Sequence, residues 1–146
     1  PQTDFFDPQS LAVNGIHPDL LRDAPDPPDV LPRFLAFISG SLIVAHRALF
    51  DAGFINLYCD RYGHARPDNP VLDTFVIGQQ LYGEPVRLDG LLKRNHIRVP
   101  VSRHKSWVDC LTTAEVFFRM VRFSSLAELA PRPFAGYDPS LYQPVR

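Results

Sequence analysis

The sequence has almost no net charge, only two cysteines and no long apolar run, and each shortage closes off a class of protein. Fifteen basic and 16 acidic side chains leave a formal charge of −1. No global field therefore draws the chain to nucleic acid, and any nucleic-acid chemistry must rest on a local basic patch or a metal. Cys59 and Cys110 are too few for a disulfide framework or a zinc site. Both fall in apolar helical patterns, which predicts buried free thiols and a reducing, cytoplasmic compartment. No run approaches the ~20 apolar residues of a membrane span, and no signal-peptide pattern is seen. The chain opens Pro1-Gln2-Thr3 without a methionine, so it is expected to be a piece of something longer.

What is present suits one globular domain. The chain has 146 residues, 45% hydrophobic and 21% charged, an ordinary balance for a packed core. Prolines concentrate at Pro18 to Pro32, Pro67 to Pro70 and Pro131 to Pro144, and the regular elements lie between. Residues 1–25 read as extended chain and turns around Asn14-Gly15 and Pro18-Asp19. A helix is expected from about Pro28 to Ser39, capped by Asp26 and stopped by Gly40, with a stripe of Val30, Leu31, Phe34, Leu35, Phe37 and Ile38. Leu42-Ile43-Val44-Ala45 reads as a strand covered on both faces. A helix from about Leu49 to Tyr62, with Phe50, Phe54, Leu57 and Tyr58 at helical spacing, ends at Gly63.

Val71 to Thr74 reads as a second buried strand, running into a helix that Gly83 ends. Leu88, Leu91 and Leu92 mark a short helix. The last strong element runs from near His104 to about Phe123. Its stripe is Trp107, Leu111, Ala114, Phe118 and Val121, widened by Cys110, Phe117 and Met120. A domain over 1–123 is thus followed by a Pro/Tyr-rich tail, 124–146, expected to be a surface wrap or an interaction tail. Alternating strand and helix argue for an α/β domain with partly parallel strands. Only two strands are clear, few against a typical sheet of ~5–6.

Two segments of the form His-x4-Asp carry the chemistry: His46 to Asp51 and His104 to Asp109. Asp51 falls on the first turn of a helix just beyond a strand, where open α/β sheets place their ligands. Alone, it is more simply a charge that favours the helix N-terminus. Asp109 lies among Val108, Cys110 and Leu111, where a carboxylate is costly unless paired or metal-bound. His104, at the loop–helix junction, suits a general base. Together the pattern suits two-metal phosphodiester hydrolysis, in which carboxylates hold two hard cations ~3.5–4 Å apart. Lys93, Arg94, Arg98, Arg103 and Lys105 form a basic run that either guides a nucleic-acid backbone or is a solvated surface. Phe50 and Trp107 flank the acids; stacking on a base is one use, and their helical spacing favours core packing.

Four stretches resemble the DEDDh exonucleases of the DnaQ-like group. Val13-Asn14-Gly15-Ile16, with Asp23-Ala24-Pro25 after it, resembles the family's V-H-G-I turn. Ser41 to Asp51 resembles the second exonuclease motif, L-V-A-H-N-A-x-F-D. Leu72-Asp73-Thr74 resembles the strand before the next family helix. His104-Lys105-Ser106-Trp107-Val108-Asp109, continuing to Glu115, resembles the third motif, H-x-A-x-x-D-A-x-x-T-A. Order and spacing agree over roughly residues 9–122.

The resemblance implies an RNase H-like fold, a mixed sheet flanked by helices, here lacking its first strands. It implies 3′–5′ exonuclease activity on single-stranded DNA or RNA ends with Mg²⁺ or Mn²⁺, and a polymerase or other protein as partner. By analogy Asp109 binds metal directly, Asp51 supports the metals, and His104 is the base. Gly15 and Ile16 lie against the terminal nucleotide, with His46, Arg47 and Phe50 as further substrate contacts.

The sequence also departs from the family. The first motif, Asp-x-Glu, is absent and is expected some tens of residues upstream. Arg47 stands for the usual asparagine, Asn14 for a histidine and Ser106 for an alanine. Two aspartates alone should hold Mg²⁺ poorly. A catalytically inactive exonuclease-fold binding module is therefore the alternative function.

Overall fold

The computed structural model describes residues 7–99, 105–123 and 132–134. His104, Arg103 and most of the segment expected as a tail lie outside the described residues.

From residue 7 onward the amino-terminal stretch is not extended. It forms two short helices, α1 (Pro8–Asn14) and α2 (Pro18–Leu21). Each starts with proline at its first position after a residue whose side chain accepts a backbone N–H: Asp7 from Gln9 at 3.3 Å and His17 from Asp19 at 3.5 Å. Proline there gives up an amide that a helix start cannot use anyway. The Asn14-Gly15 signal marks the end of α1, with Gly15 at φ +67°, a conformation glycine adopts without steric cost.

Helix α3 (Pro27–Ile38) comes next, then strand β1 (Ile43–Ala45), helix α4 (Ala48–Tyr62), strand β2 (Pro70–Asp73), helices α5 (Thr74–Tyr82), α6 (Leu88–Arg94) and α7 (Ser106–Met120), and strand β3 (Arg132–Pro133). Gly63 and Gly83 end α4 and α5 in the left-handed conformation, as their positions predict. The sheet is mixed: β1 runs parallel to β2, and β3 lies antiparallel on the other side of β2. Residues 132 and 133, within the stretch expected as a tail, are thus part of the sheet.

Strand β2 is the wall between two cores. Successive residues of a strand face opposite ways, and Val71 and Leu72 enter different clusters. Leu72 packs with Ile77, Leu91, Val116, Phe117 and Met120 of α5, α6 and α7. Val71 packs with Ala48 and Ala52 of α4 and with Phe134. Strand β1 lies at one side of the order and is half-buried, not covered on both faces.

The helical stripes differ from expectation. On α7 the buried residues are Val108, Thr112, Thr113, Val116, Phe117 and Met120, while Trp107, Leu111 and Phe118 face outward, 57–63% exposed. On α4 the buried face is small: Ala48, Ala52, Gly53, Asn56 and Cys59. Small side chains let that helix lie close on the sheet, and Phe50, Phe54 and Leu57 are left outside. On α3, Leu31 and Ile38 are buried, whereas Val30 and Phe37 are exposed. Cys59 is buried as expected; Cys110 is exposed.

Two buried asparagines fasten the layers. Asn69 donates through Nδ2 to the carbonyls of Ile38 and Ser41, at 2.6 and 2.7 Å, at the end of α3. Its own carbonyl accepts the Phe134 N–H at 2.9 Å. Asn56 donates to the Phe134 carbonyl at 2.9 Å. Asn69→Ala removes a donor from both carbonyls; that of Ile38 keeps the Ser41 N–H at 3.0 Å, and that of Ser41 loses its side-chain donor. An unsatisfied buried group costs about 1–3 kcal/mol, so urea denaturation should show a loss of about 1–3 kcal/mol. A loss below about 0.5 kcal/mol would show that the tie is not structural.

Candidate functional site

The two parallel strands end side by side, with Ala45 of β1 in register with Asp73 of β2. The residues just beyond the two strand ends are therefore brought together: His46-Arg47 before α4, and Thr74 at the start of α5. Carboxyl edges of parallel strands are where such folds place ligands.

Asp73 dominates the local geometry. Its Oδ1 accepts from the Arg47 and Phe75 N–H groups, both at 2.9 Å, and its Oδ2 accepts from the Ala48 N–H at 2.9 Å. One carboxylate thus serves the first amides of both α4 and α5. Arg47 itself sits at φ 62°, ψ 55°, in the left-handed region, and its guanidinium lies 5.6 Å from the centre of the Phe75 ring.

Thr74 holds His46. Its hydroxyl donates to the Ala45 carbonyl at 3.1 Å and lies 3.0 Å from His46 Nδ1. A hydroxyl has one hydrogen, and here the carbonyl takes it. The Thr74 oxygen must therefore accept from His46, which assigns the proton to Nδ1. The His46 ring is half-buried and meets Phe75 edge-on at 5.9 Å.

Asp51 is on the first turn of α4. Burial, and secondly the negative charge of Asp73, push its carboxyl above the ordinary value of 3.8. Asp109 is half-buried on the first turn of α7. It shares a cleft of about 570 Å³ with Val13, Gly15, Ile16, Leu20, Lys105, Ser106 and Trp107. The structure thus brings Gly15, Ile16 and Asp109 around one space, and His46, Arg47 and Asp51 to the end of β1. Phe50 is exposed and packs on Phe54, with ring centres 4.9 Å apart. Neither Phe50 nor Trp107 is the core residue that its spacing suggests, and Trp107 lines the cleft.

Among the described residues, no group of three or more histidine, cysteine or acidic side chains could hold a metal ion. The carboxylates described here do not by themselves make a complete divalent-cation site. The basic run is also thinner than its sequence: Arg94 is paired with Glu84 and lies 4.9 Å over the Tyr82 ring. Lys93, Arg98 and Lys105 are exposed.

Sequence pattern places Asp73 and Thr74 only at the end of a strand. An Asp-Thr pair entering a helix is also a capping signal, and it marks Asp73 as the cap of α5. Its hold on α4 joins residues 25 and 26 positions apart, which no local pattern shows.

The family model described as Exonuclease (RNase_T) matches residues 1–117. The PolC-type DNA polymerase III of Halalkalibacterium halodurans is 36% identical over 126 residues, covering 81% of this chain and 9% of the relative. A DNA polymerase III subunit epsilon-like protein of Rhodobacter capsulatus is 37% identical over 115 residues, covering 77% of this chain and 16% of that protein. The chain therefore spans a small part of the curated relatives it matches. Among solved structures, exonuclease X in complex with 5′ overhanging duplex DNA superposes with a TM-score of 0.63 at 25% identity, covering 84% of this chain and 70% of the other.

The raised pKa of Asp51 has a consequence for stability. Below pH 3.8 the carboxyl is protonated in both the folded and unfolded chain, and it costs the fold nothing. As pH rises through 3.8 the unfolded chain ionises first, so the fold loses stability until the folded carboxyl ionises as well. Asp51→Asn should therefore raise resistance to urea at neutral pH, and the gain should shrink toward zero below pH 3.8. An equal difference at both pH values would show that the charge is not the cause.

Proposed function

The chain belongs to the Exonuclease family whose model matches it, and on that premise we propose that it is the working part of a 3′–5′ exonuclease. It would hydrolyse phosphodiester bonds at single-stranded DNA or RNA 3′ ends. The observation that supports this best is the cleft that joins Asp109 with Gly15 and Ile16, because a terminal nucleotide needs a wall beside the reacting carboxylates. The names of the PolC-type and epsilon-like relatives support a polymerase as partner.

In this proposal Asp109 and Asp51 are the carboxylates toward a divalent cation, Mg²⁺ or Mn²⁺, and His104 is the general base. Exonuclease domains of this family are in general divalent-metal dependent. Such an ion, when bound, lowers the pKa of water and stabilises the leaving oxygen. Hard cations take six or more oxygen ligands, so two aspartates need further donors, and among the described residues no cluster of three or more histidine, cysteine or acidic side chains supplies them. The chain's own contributions are separate from that. The imidazole of His104 removes a proton from the attacking water. Gly15 and Ile16 present backbone and an apolar surface to the terminal nucleotide. His46, Arg47 and Phe50 extend the contact, Arg47 as a cation toward phosphate. A cytoplasmic site of action belongs to the same proposal. Among the described residues no helix is long and apolar enough to cross a membrane.

The incomplete donor set favours a second reading, a binding module that has the fold without the catalysis. A 3′-labelled oligonucleotide, incubated with Mg²⁺ or Mn²⁺ and the polypeptide carrying this chain, separates the two. Release of label that Asp109→Asn abolishes, and that His104→Ala lowers by about 10²–10⁴-fold, is the expected result. A 3′-blocked oligonucleotide should resist. Unchanged cleavage after Asp109→Asn would overturn the assignment, and binding without cleavage by the wild-type chain would establish the second reading.

A further inference from the structure

We propose that Asp73 is a positioning residue for the segment that carries His46 and Asp51, acting as a clamp on the turn between β1 and α4. As to catalysis, the proposal rests on the nuclease reading; as to geometry, it stands on its own.

The chain leaving β1 must reverse into α4 within two residues, and it does so by putting Arg47 in the left-handed region. For a residue with a Cβ that conformation costs roughly 1–2 kcal/mol. The turn has no local support: the N-cap position of α4 is Arg47, whose side chain makes no capping hydrogen bond. Asp73 supplies the missing acceptor from the neighbouring strand. Its two oxygens take the Arg47 and Ala48 amides, and Oδ1 also takes Phe75 of its own helix.

Thr74 completes the hold by taking the Ala45 carbonyl and His46 Nδ1. Two consecutive residues of one strand end thus grip four consecutive residues of the other, Ala45 to Ala48. A cap that served helix stability alone needs only one or two amides, and a serine or aspartate at position 47 would provide it locally. A grip on every residue of the turn instead fixes the direction of the His46 ring and the phase of the first turn of α4. Asp51 sits one turn along from the clamped amides, so its carboxylate is aimed by the same contacts. Asp73 has both oxygens committed to amides and acts through Arg47 and Ala48; it is not itself a reacting group.

The test compares Asp73→Ala with the milder Asp73→Asn, which keeps one acceptor and stays useful where the alanine variant fails to fold. Amide hydrogen exchange reads the clamp directly. In Asp73→Asn the Ala48 amide should exchange about tenfold faster or more, and more than amides of the distant core such as Leu91 and Val116. In Asp73→Ala the Arg47 amide should behave likewise. Exonuclease kinetics read the consequence: kcat should fall tenfold or more while KM changes less than twofold. Asn69→Ala serves as a control of lowered stability, and its kcat below the unfolding range should stay at the wild-type value.

Wild-type exchange at Arg47 and Ala48 in both variants would overturn the clamp. A kcat loss no larger than that of Asn69→Ala would overturn the positioning role. If the wild-type protein cleaves nothing, the nuclease reading fails, and the exchange measurements still decide whether Asp73 sets the turn.

Discussion

The carboxylate of Asp73, facing three backbone amides, is the interaction on which the site depends. Hydrogen bonds to a charged acceptor contribute about 1.5–3 kcal/mol each, so even one or two of these offset the roughly 1–2 kcal/mol that a left-handed arginine costs. The contact is possible because β1 and β2 are parallel and end in register, Ala45 beside Asp73. In an antiparallel pair the two carboxyl ends would lie at opposite edges, and one side chain would not reach both helix starts. The parallel pairing is thus what allows a single residue to organise the entry to α4 and α5 together.

That pairing is in turn secured from the other side of β2. Val71 and Leu72 are nearly inaccessible because each face of the strand has its own cover: α4 and Phe134 on one, α5 to α7 on the other. Strand β3 is only two residues long and adds little pairing itself. What holds it is Phe134, fixed at its N–H by Asn69, at its carbonyl by Asn56 and through its buried ring. The same Asn69 closes the end of α3 with its side chain while its backbone carbonyl holds Phe134, so one residue links α3, β2 and Phe134. Replacing its side chain is expected to loosen the tie to α3 without touching the carboxyl edge of the sheet, which makes it a suitable stability control for the clamp.

Much of this is legible in the residues, for identifiable reasons. Gly63 and Gly83 end helices because left-handed backbone there suits glycine. The Ile43–Ala45 strand and the helix after it are expected from a short apolar run with turn signals on both sides. The buried faces are harder to see. Helix α7 is apolar on two sides, so periodicity shows a helix without showing which side meets the sheet. The larger side chains Trp107, Leu111 and Phe118 suggest the wrong one, while Thr112 and Thr113 are buried. Thr112 can go inside because its hydroxyl donates back to the Val108 carbonyl at 2.8 Å. On α4 the close approach to the sheet selects alanine and glycine, residues that no hydrophobic pattern emphasises. Motifs single out Asp51, Asp109, Gly15 and Ile16; they do not show the role of Asp73 toward α4, because it arises only when two strand ends meet.

The charge arrangement at that edge explains why Asp51 is a costly residue to keep. The residue is exposed overall, yet the protein packed around its carboxyl and the charge of Asp73 both disfavour the ionised form. The two acids are not equivalent, however. The Asp73 oxygens are taken up by amides, so its charge is compensated by the turn it holds. The balance at Asp51 runs the other way, and a positive group brought from outside would relieve its charge. Strained electrostatics of this kind, held in place by a rigid neighbour, are typical of sites tuned for a ligand at some cost in stability. The acid whose ionised form is disfavoured, Asp51, suits the carboxylate role proposed for it, and Asp73 beside it suits the proposed support.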